Sequence, residues 1–211
     1  MSNVNLNINV HHVTRVEGHG NIVVDMRNGQ LERCDLEIVE PPRYFEAMLR
    51  GRSWTEAHII TSRICGICSI GHVTTSVQAT EDAFKLKLSD QDLLLRKLIL
   101  HGETLQSHVL HVYFLVAPDL LKAPSVFPLV ATHKDVILRA LRMKKNANFM
   151  CDELAGRTIH PISVVPGGYT KLPTADQLKA VRKMLTDEFV PDAEATFETL
   201  KALAPNLPNF T

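Results

Sequence analysis

The chain has 211 residues, with 23 basic and 23 acidic side chains, a formal net charge of zero and a pI of about 7.2. That length allows one or two domains with a sizeable core, and the balanced charge excludes the basic field needed for nucleic acid or an anionic membrane surface. Four cysteines (Cys34, Cys65, Cys68 and Cys151) are too few and too scattered for a disulfide scaffold, no basic–apolar leader follows Met1, and no apolar run is long enough for a membrane span, so the expectation is a soluble, cytoplasmic protein.

Alternating segments dominate the first forty residues: "NLNINV", "NIVVDM" and "LERCDLEIVE". Asn28-Gly29 between the last two is a strong hairpin signal. This predicts a small antiparallel sheet over residues 4–40, ended by Pro41-Pro42, and a first region spanning residues 1–42. Residues 43–211 read as helical. "RYFEAMLRG" predicts a helix closed by Gly51, and Ser53 with Glu56 forms a capping box that starts the next one. A further helix is expected from just past Cys68 to about Lys87. "SDQDLLLRKLILHGETLQSHVLHVYFLVAPD" predicts a long helix over 90–117, stopped at Pro118 and apolar almost all round, hence buried on most sides. A helix of about 20 residues follows, to near Asp152. Its basic stretch "RALRMKK" reads as a solvated face. "GRTIHPISVVPGGYTKLP" predicts a turn-rich loop, and Thr174 with Gln177 opens a last helical stretch to about Ala204. The fold class is therefore α+β: a small N-terminal antiparallel sheet packed beside a bundle of long helices, expected to form one compact unit.

The chemistry concentrates at Arg63-Ile64-Cys65-Gly66-Ile67-Cys68-Ser69-Ile70-Gly71-His72. Cysteines three apart can point both sulfurs at one atom. A helix beginning at Cys68 or Ser69 offers free N–H groups to the thiols, and His72, four residues on, shares a helical face with Cys68. Serine after the second cysteine excludes c-type haem attachment, and the helical context excludes a thioredoxin-like pair. A structural zinc site wants four ligands, where these residues offer three. Thiolate-held metals such as nickel or iron remain open, as does an inert buried pair. Cys34, on a strand, and Cys151, in a helix, read as core residues.

Two further stretches sharpen this. Thr14-Arg15-Val16-Glu17-Gly18-His19 precedes a strand, and Arg43 to Arg52 places Glu46 in the middle of a helix. Taken with Arg63 to His72 and with "AGRTIHPISVVPGGYT", these motifs give a sequence that resembles the large, catalytic subunit of nickel–iron hydrogenases over essentially its whole length. The resemblance implies that Cys65 and Cys68 supply two of the four thiolates of a Ni–Fe centre, Cys65 as a terminal nickel ligand and Cys68 bridging nickel and iron, with CO and CN ligands on the iron. It implies that Glu17 passes protons to and from a thiolate, from a closed apolar pocket that would raise its pKa. Glu46 would belong to a magnesium site, His72 would hydrogen-bond toward the bridging sulfur, and Arg63 would orient the loop or pair with buried carboxylates. The implied activity is reversible heterolytic H2 oxidation, with H2 and protons as substrates and electrons passing to an iron–sulfur small subunit. The family's second motif, D-P-C-x-x-C-x-x-H, has no match among these 211 residues. The expectation is an N-terminal half, with a possible second chain supplying the rest. Ser107, ahead of His108, favours the cytoplasmic members. The alternatives are a catalytically inactive hydrogenase-like scaffold and a zinc module on Cys65, Cys68 and His72.

Overall fold

The computed structural model describes residues 4–14 and 16–207 and resolves into two compact units, residues 1–50 and 51–211. Arg15 of the Thr14–His19 motif lies outside the described residues.

In the first unit, strands β1 (Leu6–Val10), β2 (Gly20–Arg27) and β3 (Gln30–Ile38) form an antiparallel sheet in the order β1-β2-β3. The β2–β3 hairpin turns at Asn28 and Gly29, both at positive φ (52° and 76°), the pair that a two-residue turn of this handedness selects. Register places Leu6, Ile8 and Val10 opposite Met26, Val24 and Ile22, and Ile22 and Val24 opposite Leu36 and Cys34. One face of the sheet is thus almost wholly apolar. Cys34 lies on this face, yet it is exposed, which corrects the expectation of a core cysteine. An apolar face buries its residues only where a second layer covers it, and helix α1 (Pro42–Leu49) contributes no buried residue. Pro42 stands at the first turn of α1, where its missing N–H costs nothing.

The second unit is helical: α2 (Trp54–Thr61), α3 (Ser69–Phe84), α4 (Asp90–Leu110), α5 (Ala117–Leu120), α6 (Lys134–Ala155), α7 (Ala175–Met184) and α8 (Val190–Leu203), with a small hairpin of β4 (Val164–Val165) and β5 (Gly168–Tyr169). Both expected capping boxes form, Ser53 with Glu56 on α2 and Thr174 with Gln177 on α7.

The long helix continues past Pro118. It passes through a π-helical segment, His111–Val116, into α5, with Pro118 in the first turn. A proline lacks the N–H that the α ladder requires, and the wider π turn re-phases the backbone just before it. A second π segment, Leu185–Phe189, joins α7 to α8 ahead of Pro191. Helix α4 is not buried on most sides. Its buried residues, Leu95, Arg96, Ile99, Gly102, Gln106 and Val109, form one stripe, while Leu94 is 66% exposed. The basic stretch on α6 is more than a solvated face. Arg142 makes a two-pronged contact with Asp192 of α8, at 2.7 and 2.6 Å, and Arg139 reaches Tyr113 and Thr199.

The core of this unit joins Val73 and Val77 of α3, Ile99 of α4, Ala147, Met150 and Leu154 of α6, and Val164 of β4. Helices α4 and α6 pack tightly at Gly102, where an added Cβ would stand 2.9 Å from Cys151 Sγ. Cys151 is fully buried, as expected of a core cysteine.

A bidentate ion pair sits inside this core. Arg96 of α4 donates to both carboxylate oxygens of Glu81 on α3, each at 2.6 Å, with both side chains no more than 5% exposed. Arg96 also donates to the carbonyl of Val165, and the Gly167 N–H donates to Glu81. Two helices and the hairpin therefore meet on one pair of charges. Burial opposes ionisation of Glu81, but the hydrogen bonds from Arg96 and Gly167 outweigh it and hold the carboxyl below its ordinary value of 4.5. Removing one partner of such a pair leaves the other charge unmatched. Glu81→Ala is expected to destabilise the second unit by roughly 3–5 kcal/mol in urea unfolding. Because the folded pKa is depressed, the contribution of Glu81 is complete above the unfolded carboxyl value and is lost as pH falls below it. Wild-type stability should drop in that acid range, and the Glu81→Gln variant should lose that part of the dependence.

Candidate metal centre

Cys65, Cys68 and His72 converge at the start of α3. A short 3₁₀ turn, Ser62–Ile64, ends α2, Cys65 is extended, and Cys68 is the N-cap of α3. The ligand atoms of the three residues lie within 4.8 Å of one another, the one such His/Cys/Asp/Glu cluster among the described residues. The two sulfurs are joined in a disulfide with a Cα–Cα distance of 5.5 Å, and the Cys68 N–H approaches Cys65 Sγ at 3.1 Å. Cys65 is buried, while Cys68 and His72 are half-buried. Both of the latter line a cleft of about 500 Å³ with Thr61, Ile64 and Gly71. Once reduced, this is a soft donor set of two thiolates and an imidazole, suited to nickel, iron or zinc.

Two residues that sequence reasoning did not single out hold this loop. Glu103 of α4 accepts the Ile70 N–H (2.6 Å) and the Gly71 N–H (2.9 Å). Burial pushes its carboxyl above the ordinary value, against the lowering effect of those two N–H groups. His160, in the loop after α6, donates its backbone N–H to Ser69 Oγ and places Nδ1 against the Ser62 carbonyl, both at 2.8 Å. It ties the entry and exit of the cysteine loop together, and holds a positive φ of 56° to do so. Its signal in the sequence is the X-Pro position in "TIHP". Glu103 has none, because its partners lie 32 and 33 residues away.

The other expected residues stand differently. Arg63 is exposed and forms no ion pair among the described residues. The buried acids it was expected to meet are already matched, Glu81 by Arg96 and Glu103 by backbone N–H groups. His72 approaches the sulfurs within the 4.8 Å cluster. Glu17, in the loop between β1 and β2, is exposed rather than enclosed in an apolar pocket. The first unit has too little buried surface around that loop to form one. The loop is held by a residue the sequence reading passed over. Glu40 accepts the His19 N–H at 2.7 Å and lies 3.0 Å from His19 Nδ1. The contact with the His19 side chain, reinforced by the backbone N–H, lowers the Glu40 pKa. Gly18 between them adopts φ 87°, and a Cβ there would crowd Glu40 Oε1 at 3.1 Å. Glu46 is exposed on α1 and pairs with Arg43 at 3.0 Å. It belongs to no cluster of three or more His, Cys, Asp or Glu among the described residues, so these residues alone do not make a magnesium site.

Residues 43–127 match the family model for nickel-dependent hydrogenase, and residues 7–40 match a HoxL-like model. The chain belongs to the nickel-dependent hydrogenase family. It is 36% identical over 203 residues to sulfhydrogenase 1 subunit alpha of Pyrococcus furiosus, covering 96% of this chain and 47% of that one. It is 33% identical to the periplasmic NiFeSe hydrogenase large subunit of Desulfomicrobium baculatum, covering 87% of this chain and 41% of that one. Among solved structures, an NAD+-reducing NiFe-hydrogenase in the H2-reduced state superimposes with a TM-score of 0.82 at 30% identity, over 94% of this chain and 46% of that chain. The hydrogenase-family chain described here spans about half the length of the curated relatives it matches. No helix among the described residues is long and apolar enough to cross a membrane.

The cysteine environments predict a labelling order. With the 65–68 pair reduced and the protein folded, an alkylating reagent should modify Cys34 readily. It should leave Cys151 unmodified until denaturant is added, because burial pushes that thiol up to about 11. Mass spectrometry of peptides from native and unfolded samples reads this directly.

Proposed function

We propose that this chain is the N-terminal portion of the catalytic subunit of a nickel–iron hydrogenase, which oxidises H2 and reduces protons reversibly and passes electrons to an iron–sulfur small subunit. The observation that carries the reading is the convergence of Cys65, Cys68 and His72 within 4.8 Å of one another at a helix start, in a chain of this family, with Cys68 and His72 lining a cleft. Retention of both cysteines argues against a catalytically inactive scaffold. The charge balance gives no reason to add nucleic acid as a partner. Cytoplasmic location belongs to the same proposal, on the strength of Ser107.

In this reading Cys65 and Cys68 hold half of a Ni–Fe centre whose iron carries CO and CN, and the other two thiolates come from sequence beyond these 211 residues, in the same or a second chain. When bound, the centre supplies the heterolytic cleavage of H2. The residues of this chain do the rest. Cys65 and Cys68 fix the donor geometry, and His72 sits beside the sulfurs and tunes them. The Glu17 carboxylate accepts a proton and passes it toward solvent, a role that requires the assembled protein to enclose it. Glu46 is one oxygen ligand of a magnesium ion whose other ligands lie outside this chain.

Elemental analysis tests the proposal. The isolated chain should hold little nickel, and co-expression with the C-terminal half, the small subunit and the maturation machinery should bring one nickel and one iron per complex. One nickel and one iron on the isolated chain, with H2-dependent dye reduction, would refute a divided site, and zinc in both samples would favour a zinc module. In the complete complex, Glu17→Gln should leave metal content intact while lowering H2/D+ exchange by about 10²- to 10⁴-fold. Glu46→Ala should lower the magnesium content of the same complex, and unchanged magnesium would sink that assignment.

A further inference from the structure

We propose that Glu103 is the positioning residue of the cysteine loop, its carboxylate capping the first turn of α3 from a neighbouring helix and so fixing the directions of Cys68 and His72. The inference rests on the proposed function, in which Cys65 and Cys68 are metal ligands and His72 stands beside their sulfurs. Helix α3 begins without local help, because its N-cap, Cys68, makes no side-chain capping bond. The first N–H groups of a helix have no partner within it, and caps normally come from a side chain within three residues. Here the Ile70 and Gly71 N–H groups go to separate oxygens of one carboxylate, Oε1 at 2.6 Å and Oε2 at 2.9 Å. Two-point attachment resists rotation of the helix end in a way that one bond cannot.

The two capped residues stand between Cys68 and His72. Cys68 lies two positions before Ile70, and His72 follows Gly71 and returns its own N–H to the Cys68 carbonyl at 3.2 Å. Space for the carboxylate is reserved on both sides. A Cβ on Gly71 would stand 3.3 Å from Glu103 Oε2, and a Cβ on Gly102, next to Glu103, would stand 2.9 Å from Cys151 Sγ on α6. Glu103 therefore follows the close α4–α6 contact at Gly102 and is received by the start of α3. The packing of three helices is converted into the aim of Cys68 and His72.

Amide hydrogen exchange on the full chain tests this without reference to hydrogenase activity. Glu103→Ala should speed exchange at Ile70 and Gly71 by about tenfold or more, with Val73 to Phe84 nearly unchanged. Glu103→Gln, which keeps one acceptor, should fall between. With Co2+ alone as the probe of the reduced chain, thiolate–cobalt charge-transfer absorption should report affinity lowered about tenfold or more in Glu103→Ala and partly rescued in Glu103→Gln. Unchanged exchange at residues 70 and 71 in Glu103→Ala would overturn the proposal. So would equal loss of protection across α3, α4 and α6 in both variants, which would mean that the carboxylate serves the fold at large. If the wild-type chain takes up no Co2+ while the local exchange pattern holds, the cap stands and the metal reading falls.

Discussion

A charged pair inside a helical core is tolerated only when the hydrogen bonds around it replace the water it has lost. The Glu81–Arg96 pair meets most of that condition by recruiting backbone: the Val165 carbonyl takes one guanidinium N–H and the Gly167 N–H serves one carboxylate oxygen, while the buried Arg96 Nε finds no partner among the described residues. The consequence is architectural. Apolar contacts would let α3 slide along α4 with little change in energy, whereas a two-pronged arginine–carboxylate contact accepts one register. The cysteine loop hangs from the start of α3, so its height against α4 is set twelve residues away. The turn-rich segment after α6 is drawn into the same arrangement. Its hairpin is anchored by Val165 and Gly167, and its His160 then meets Ser62 and Ser69 on either side of the cysteines.

The site is accordingly a product of tertiary packing more than of its own ten residues. The motif supplies donors at workable spacing, but the backbone between Ser62 and Gly71 has few bonds of its own. The loop is bounded by Glu103 on one side and His160 on the other, each from a different element. Such a design keeps glycine-containing backbone in one shape while leaving Cys68 and His72 facing a cleft and Cys65 buried.

What could be read beforehand follows the range of the interactions involved. Capping boxes, the Asn28-Gly29 turn, the alternation of β1 to β3 and the cysteine motif are written within a few residues of themselves, and each was legible. Glu81 and Arg96 looked like ordinary helix charges because the pairing spans 15 residues and depends on the angle between two helices. Arg139 and Arg142 looked solvated for the same reason, since their partners sit on α8, 50 or more residues on. Cys34 misled in the other direction. Its strand pattern is that of a buried face, but pattern marks which side is apolar, not whether anything covers it.

The two π-helical segments carry a consequence of their own. Each holds an extra residue relative to an α-helix of the same rise, so the helix before it and the helix after it are out of phase by about 100°. A residue of α5 is therefore turned by about that angle from where an unbroken α-helix running on from α4 would place it, and α8 is turned in the same way relative to α7. In the α7–α8 rod both halves then reach α6, α7 through Val181 and Met184 in the shared core and α8 through Asp192 and Thr199, without a loop between them. Length in these segments is thus as constrained as composition. Removing a single residue from 111–116 or 185–189 would leave every side chain unchanged in kind and rotate one half of the rod away from its neighbours.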